Sequence, residues 1–216
     1  MGNGIVETTA RSRSTEDRQL VSILPAQVIN NVDRRQEGLV QVHIGSLLGQ
    51  EQWVRVAAPM AGGDRGICFY PQVGDEVLVA FYQGSPLDSY IIGSLWNRQD
   101  ALPAQVANDP ANQSMIRTPG GHEIAFDDKA RSINITSAGG GHVRLAPEKI
   151  EIVIGQSSIT LEKNGSIKIK ASNTITLQAQ TINITADQNI AISGKSSARI
   201  DGGSNFSVSA TQIFIG

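Results

Sequence analysis

Residues 166–193 read Ser-Ile-Lys-Ile-Lys-Ala-Ser-Asn-Thr-Ile-Thr-Leu-Gln-Ala-Gln-Thr-Ile-Asn-Ile-Thr-Ala-Asp-Gln-Asn-Ile-Ala-Ile-Ser. Within this stretch, two apolar residues separated by one other residue recur every seven or eight positions. Apolar residues at alternate positions are typical of a β-strand with one buried face. The polar residues between the pairs are of the kinds that favour tight turns. The stretch therefore predicts a series of short strands joined by corners.

The same pairs extend over the whole second half of the chain with a period of about eight. They are Ile124/Phe126, Ile133/Ile135, Val143/Leu145, Ile150/Ile152, Ile159/Leu161, Ile167/Ile169, Ile175/Leu177, Ile182/Ile184, Ile190/Ile192, Ala198/Ile200, Phe206/Val208 and Ile213/Ile215. Two inward side chains per strand give a single chain only a thin core, which would scarcely offset its conformational entropy.

The pairs fit a three-walled prism in which every corner turns the chain by a third of a turn. Either one chain coils alone or three chains intertwine, and we favour the homotrimer because intertwining also flanks each strand with neighbours. All members of the pairs except Ala198, Ile213 and Ile215 form the predicted trimer core. A hairpin meander is disfavoured, because Asn-Gly or Asp-Gly stands at only two corners, 164–165 and 201–202.

The first half has a different composition, since seven of the ten aromatic residues lie between positions 53 and 96. Short apolar stretches separated by Gly, Pro and Asp predict five or six strands and a small OB-type barrel. The predicted organisation is an all-β chain with an N-terminal arm (1–19), an OB-fold barrel (20–97), a linker (98–118) and a triple-stranded intertwined β-helix, or β-prism, at 119–216.

Charge, cysteine and hydropathy exclude several classes of protein. The net charge of −2 argues against nucleic acid as a partner, because nucleic-acid-binding surfaces are normally basic. The lone Cys68 excludes an internal disulfide, and its apolar surroundings, Gly66–Tyr70, predict a buried strand residue. No apolar run is long enough to span a membrane, and the first residues show no signal peptide.

Two segments resemble the spike proteins of contractile injection systems, namely baseplate assembly protein V of contractile phages and the C-terminal part of the VgrG spike of type VI secretion. The first is Pro71-Gln-Val-Gly-Asp-Glu-Val-Leu-Val-Ala-Phe-Tyr-Gln-Gly-Ser-Pro-Leu-Asp-Ser-Tyr-Ile-Ile-Gly-Ser-Leu-Trp-Asn97, which is similar to their OB core. The second is Arg117-Thr-Pro-Gly-Gly-His-Glu-Ile-Ala-Phe-Asp-Asp128, similar to their passage from barrel to spike.

The resemblance implies a homotrimeric central spike that pierces the target cell envelope, touching its membrane only transiently. It implies assembly in the cytoplasm as part of a virion baseplate or extracellular injection particle, with a separate hub protein at the barrel end. At the other end we expect a PAAR-type tip protein to dock on Ile213, Phe214, Ile215 and Gly216, because these apolar residues continue the repeat.

No catalytic residue, metal ligand or cofactor site is predicted. His43, His122 and His142 have no cysteine or further histidine at ligand spacing, and no Gly-x-Ser-x-Gly motif occurs. Two other functions stay open. One is an oligosaccharide-binding OB module with a β-helical stalk, using Trp53 or Trp96 as a stacking surface. The other is a single-chain β-helical tailspike or lyase.

Overall fold

The computed structural model describes residues 23–35, 37–46, 49–82, 85 and 88–213. The regular structure of the described part is almost entirely β, as predicted. Its elements in chain order are β1 (Ile23–Asn30), β2 (Leu39–Ile44), β3 (Gln50–Val56), β4 (Ala61–Gly62), β5 (Arg65–Gly66), β6 (Glu76–Phe81), β7 (Ser89–Leu95), α1 (Ala104–Asn108), β8 (Gln113–Arg117), β9 (Glu123–Asp127), β10 (Ser132–Thr136), β11 (His142–Ala146), β12 (Lys149–Ile154), β13 (Ser157–Glu162) and β14 (Ile167–Lys170).

The first five long strands close into a barrel in the order β1-β2-β3-β7-β6, with β6 pairing back onto β1. All neighbours are antiparallel except β3 and β7, which run parallel. A closed five-stranded barrel with this order confirms the predicted OB fold. The alternation in β2 shows why it forms, because Val40, Val42 and Ile44 are fully buried while the residues between them face outward.

The loop between β1 and β2 is organised by one carboxylate. Asp33 accepts hydrogen bonds from the backbone N–H groups of Arg35 (2.9 Å), Glu37 (2.7 Å) and Leu39 (3.1 Å). These bonds, that from Leu39 above all, lower the pKa of the Asp33 carboxyl because they stabilise its charged form. The loop thus holds Glu37 at a defined place beside the start of β2.

Two predictions for the segment after β3 are wrong. Gly66–Tyr70 is not a barrel strand, since only Gly66 belongs to a strand, the two-residue β5. Cys68 is exposed rather than buried. The apolar residues suggested a core strand, but the barrel closes with β6 and β7 instead, and residues 57–70 extend outside it.

Residues 113–170 form a second, seven-stranded sheet in which each strand pairs antiparallel with the next along the chain, from β8 to β14. This is a hairpin meander, so the prediction that disfavoured one is wrong for this segment. Strands β9 to β13 are flanked on both sides by strands of the same chain, and the corners between them reverse the chain rather than turning it by a third. Intertwining of three chains is therefore not the arrangement of residues 113–170.

The corners between the strands explain why the sequence analysis disfavoured a hairpin meander. In three of them a glycine at positive φ donates its N–H to the carbonyl three residues earlier: Gly121 to Thr118, Gly140 to Ser137 and Gly165 to Glu162. A turn followed by a left-handed residue closes a hairpin without a two-residue Asn-Gly loop. Two of these three corners, at Gly121 and Gly140, contain neither Asn-Gly nor Asp-Gly, so those dipeptides are too narrow a criterion for a hairpin.

The remaining segments contain little regular structure. The predicted linker, 98–118, includes helix α1 and strand β8, and β8 belongs to the second sheet. Between 171 and 213 no helix or strand is assigned among the described residues, although five complete apolar pairs lie there. The limits of the predicted domains stay predictions.

Candidate functional site

The apolar pairs of 113–170 all lie on one face of the second sheet. Directly opposed residues of neighbouring strands point to the same side, and the register aligns the pairs into two continuous rows. One row contains Ile116, Ile124, Ile135, Val143, Ile152, Ile159 and Ile169, and the other contains Ser114, Phe126, Ile133, Leu145, Ile150, Leu161 and Ile167. We call these two rows the apolar face.

The apolar face is open within one chain. At its centre, Ile150, Ile152, Ile159 and Leu161 remain 39–44% exposed, although neighbouring strands flank them on both sides. An apolar surface of this extent is normally covered by a partner or a ligand. Ile116 also belongs to this face but was missing from the predicted core, because its neighbour in the pair is Ser114 rather than an apolar residue.

The opposite face of the sheet is polar and internally paired. Arg117 forms an ion pair with Glu123 across β8 and β9, and Lys149 lies 2.7 Å from Glu151. Lys168 Nζ lies 2.5 Å from Glu162 and, as the leading cause, lowers the pKa of that carboxyl. Exposed pairs of this kind contribute little stability. The sheet therefore has one polar and one apolar face.

The segment 171–213 makes almost no backbone hydrogen bonds with the described part of its own chain. Only one backbone–backbone hydrogen bond is described there, from Asn205 N–H to the Gly202 carbonyl. All of its described residues except Ala171 are exposed, and its apolar side chains include Ile192 and Leu177. Buried backbone groups are almost always hydrogen-bonded. A segment that combines apolar pairs with unsatisfied backbone must therefore find its hydrogen-bond partners outside this chain, in water or in other chains.

None of the predicted trimer-core residues of this segment is buried in the single chain. Each is 49–71% exposed, because no strand of the described part of the chain packs against it. These exposed residues are Ile175, Leu177, Ile182, Ile184, Ile190, Ile192, Ile200, Phe206 and Val208. A core made of them therefore does not exist within one chain, and their place in a trimer core stays a prediction that only other copies could fulfil.

Part of the predicted site lies outside the described residues. Of the proposed tip-docking residues only Ile213 is described, and it is exposed; Phe214, Ile215 and Gly216 lie outside, as does the predicted arm at 1–19. The prediction of tip docking is neither supported nor opposed by the fold.

The histidines occupy separate structural positions. His43 lies in β2, and His142 opens β11. His122 stands at the corner before β9, where its N–H donates to Thr118 Oγ1 (3.1 Å) and its Nδ1 accepts from Ala138 N (3.4 Å). Among the described residues no three metal-ligating side chains cluster. The helix α1 has five residues, and no described helix could span a lipid bilayer.

Comparison with known proteins relates the barrel to contractile injection systems. Residues 24–96 match the type VI secretion system/phage-baseplate injector OB domain. The type VI secretion system spike protein VgrG3 of Vibrio cholerae is 34% identical over 88 residues, which cover 38% of this chain and 9% of that protein. VgrG1a of Pseudomonas aeruginosa, also a spike protein, is 35% identical over 84 residues, covering 36% of this chain and 13% of its own.

A further relative, the actin cross-linking toxin VgrG1 of Vibrio cholerae, is 31% identical over 90 residues, or 38% of this chain and 8% of that protein. The chain thus spans about a tenth of the length of these relatives. The predicted resemblance to contractile-injection spike proteins is confirmed, and the matched residues lie in and around the barrel.

Proposed function

We propose that this chain, whose barrel is an OB domain of the contractile-injection type, is one of three identical subunits of a central spike that pierces a target cell envelope. Two features support the proposal most. One is the exposed apolar face, and the other is the segment that follows it, 171–213, in which a single backbone–backbone hydrogen bond is described. Both features leave apolar surface or backbone groups that further copies of the chain would cover.

Residues 113–170 would supply one wall of a three-walled prism. Three sheets placed around a common axis bring the three apolar faces together and leave the three polar faces in water. Seven strands at a spacing of ~4.8 Å give a wall roughly 30 Å tall. In this arrangement each chain builds its own wall, which differs from the intertwined prism predicted from the sequence.

Intertwining is proposed for residues 171–213 instead. Residues there have no strand beside them in the described part of their own chain, so strands formed with the other two copies would satisfy their N–H and carbonyl groups. Pairs such as Ile182/Ile184 and Ile190/Ile192 would meet on the axis, where the surface that each leaves exposed in one chain would be covered. Chains braided in this way must separate together, so unfolding would be slow and the shaft stiff.

The proposed work is mechanical rather than catalytic. Contraction of the tail sheath would drive the shaft forward, the barrel would transmit the load from a separate hub protein, and a PAAR-type protein would complete the tip. Assembly would take place in the cytoplasm of the producing cell, as part of a contractile particle. The likeness of the barrel to spike proteins supports this role, and the hub and tip partners rest on that likeness alone.

The first experiment measures the mass of the full chain in solution. The proposal predicts a species of about 69 kDa, three times the chain mass of 23.0 kDa, by sedimentation or native mass spectrometry. A lone 23.0 kDa species at micromolar concentration would refute it, and would favour the single-chain tailspike or the monomeric sugar-binding module instead.

The second experiment tests piercing in the producing particle. Particles carrying Leu145→Asp and Ile152→Asp together should fail to assemble a spike and lose delivery into target cells, because two rings of carboxylates would lie on the axis. Particles carrying Arg144→Asp, a change on the polar face, should deliver normally. Equal delivery by both would contradict the proposed role of the apolar face.

A further inference from the structure

The outer face of the barrel carries a row of side chains across β2, β3 and β7. Leu39, Arg55 and Tyr90 lie opposite one another in the register of these three strands. Trp53 lies two residues before Arg55, and therefore on the same side of β3, while Val54 between them is buried in the barrel core. Trp53 is 42% exposed, so a large flat apolar ring is accessible on the outside of the barrel.

Two depressions border this row and adjoin each other. One, of about 560 Å³, is lined by Glu37, Leu39, Trp53, Arg55 and Ser89. The other, of about 550 Å³, lies between the barrel and the β4–β5 hairpin, and its lining includes Phe69 and Tyr70. Glu37 and Arg55 line both depressions, which together we call the barrel cleft. Each depression is large enough for a small molecule, so the barrel cleft has room for a short chain of linked units.

The charged groups of the barrel cleft balance one another in number. They are two carboxylates, Glu37 and Asp64, and two guanidinium groups, Arg55 and Arg65. None of the four belongs to an ion pair in the described part of the chain. Carboxylates accept hydrogen bonds and guanidinium groups donate them, so the cleft offers both kinds of partner to a ligand. Uncharged hydroxyl groups can bond to all four, whereas a polyanion such as nucleic acid would be repelled by the two carboxylates.

Arg55 is held in place beside Trp53. Its guanidinium carbon lies 4.8 Å from the centre of the Tyr90 ring, and its Nη2 donates to the Tyr90 hydroxyl (3.0 Å). A donor that is already fixed loses little freedom when it binds a ligand. A sugar ring has an apolar face of C–H groups and a rim of hydroxyl groups. An exposed indole ring next to a fixed donor and a carboxylate matches both parts of such a ring.

We propose that the barrel cleft binds a neutral oligosaccharide, with one sugar ring stacked on Trp53 and its hydroxyl groups hydrogen-bonded to Arg55 and Glu37. Further sugar units extend beneath the hairpin towards Phe69 and Tyr70. OB folds bind oligosaccharides or oligonucleotides on the face of their second and third strands, which here are β2 and β3, and the balanced charge favours the sugar. The inference goes beyond the proposed spike and does not depend on it, because a single barrel supplies every residue of the cleft.

The test presents the full chain with an array of neutral oligosaccharides of glucose, galactose, mannose and N-acetylglucosamine. Sulfated oligosaccharides and a single-stranded oligothymidine are the charged probes. The neutral oligosaccharide that binds most tightly is then titrated into Trp96→Phe, in which Trp53 is the chain's one remaining tryptophan. Stacking removes water from the indole ring, so the fluorescence emission of Trp53 should shift to shorter wavelength and saturate.

Two substitutions of Trp53 separate stacking from folding. Trp53→Ala should weaken binding of the same oligosaccharide by about tenfold or more, because a tryptophan at the centre of a binding site commonly contributes a large share of the affinity. Trp53→Phe should keep most of the affinity, because a flat apolar ring remains. Trp96→Ala is the matched control, since Trp96 is also exposed but lines a different depression, and it should leave the affinity unchanged.

The proposal is overturned if no neutral oligosaccharide binds, if the charged probes bind more tightly, or if Trp53→Ala and Trp96→Ala weaken binding equally. It is also overturned if Trp53→Phe binds as weakly as Trp53→Ala. Sedimentation decides the spike separately. A trimer that binds no neutral oligosaccharide removes only the sugar site, and a lone 23.0 kDa chain that binds one removes only the spike.

Discussion

Replacing Ile159 by alanine tests the apolar face at its centre. Ile159 lies opposite Ile152 on one side and Ile169 on the other, yet it keeps 39% of its surface exposed in the single chain. Full burial of such a side chain is worth about 1.5–3 kcal/mol. Covering the remaining two fifths on association is therefore worth about 1 kcal/mol per chain and about 3 kcal/mol per trimer, before any cavity cost.

A loss of about 3 kcal/mol weakens trimer formation by about two orders of magnitude, since 1.4 kcal/mol corresponds to a factor of ten. The assay is sedimentation across a dilution series at a fixed, moderate denaturant concentration, which makes dissociation reversible and measurable. Thr160→Ala, the adjacent residue of β13 on the polar face, is the matched control and should shift the dissociation constant less than threefold, or ~0.6 kcal/mol. Equal shifts for the two variants would refute the reasoning, because the apolar face would then bury nothing on association.

Three further predictions concern the barrel and the β4–β5 hairpin. Asp33 has a pKa lowered by backbone hydrogen bonds, so its stabilising effect is complete above the ordinary value of 3.8 and is lost as the pH falls through the lower folded value. The melting temperature of the barrel should therefore decrease as the pH is lowered below about 4, and Asp33→Asn should make this decrease smaller. Gly66→Ala should destabilise the β4–β5 hairpin, because a Cβ there would lie 2.6 Å from the Met60 carbonyl, whereas Gly63→Ala meets nothing within 4 Å and should not; thermal unfolding of the two variants measures the difference. Val42→Ala, at a fully buried position, should cost the barrel roughly 2–3 kcal/mol in chemical unfolding while leaving the oligomer mass unchanged.

The barrel was predictable where one strand face is buried. The stretch Gly38–Ile44 alternates apolar and polar residues, and β2 forms there with its apolar residues in the core. The stretch Gly66–Tyr70 has similar composition but lies in the exposed segment 57–70 instead. Local composition cannot distinguish a core strand from an exposed segment, because both can contain apolar side chains.

The second sheet was predictable in its pairs but not in its connections. The period of eight gave the positions of Ile133, Leu145 and their neighbours, which the register then aligns on one face. At several corners the direction of the chain depends on a single residue at positive φ, such as Gly140 or Arg131, whereas the corner between β11 and β12 has none. Arg131 illustrates the difficulty, because no sequence signal marks an arginine as left-handed.

The most direct test of the central claim is amide hydrogen exchange of residues 171–213 in the full chain at a concentration where it sediments as one species. These amides have one described backbone acceptor within the chain, the Gly202 carbonyl. If strands of two other copies supply the rest, exchange should be as slow as that of barrel-core amides such as Val42 and Val79. Exchange at the rate of an unfolded peptide would contradict the claim that three chains share this shaft.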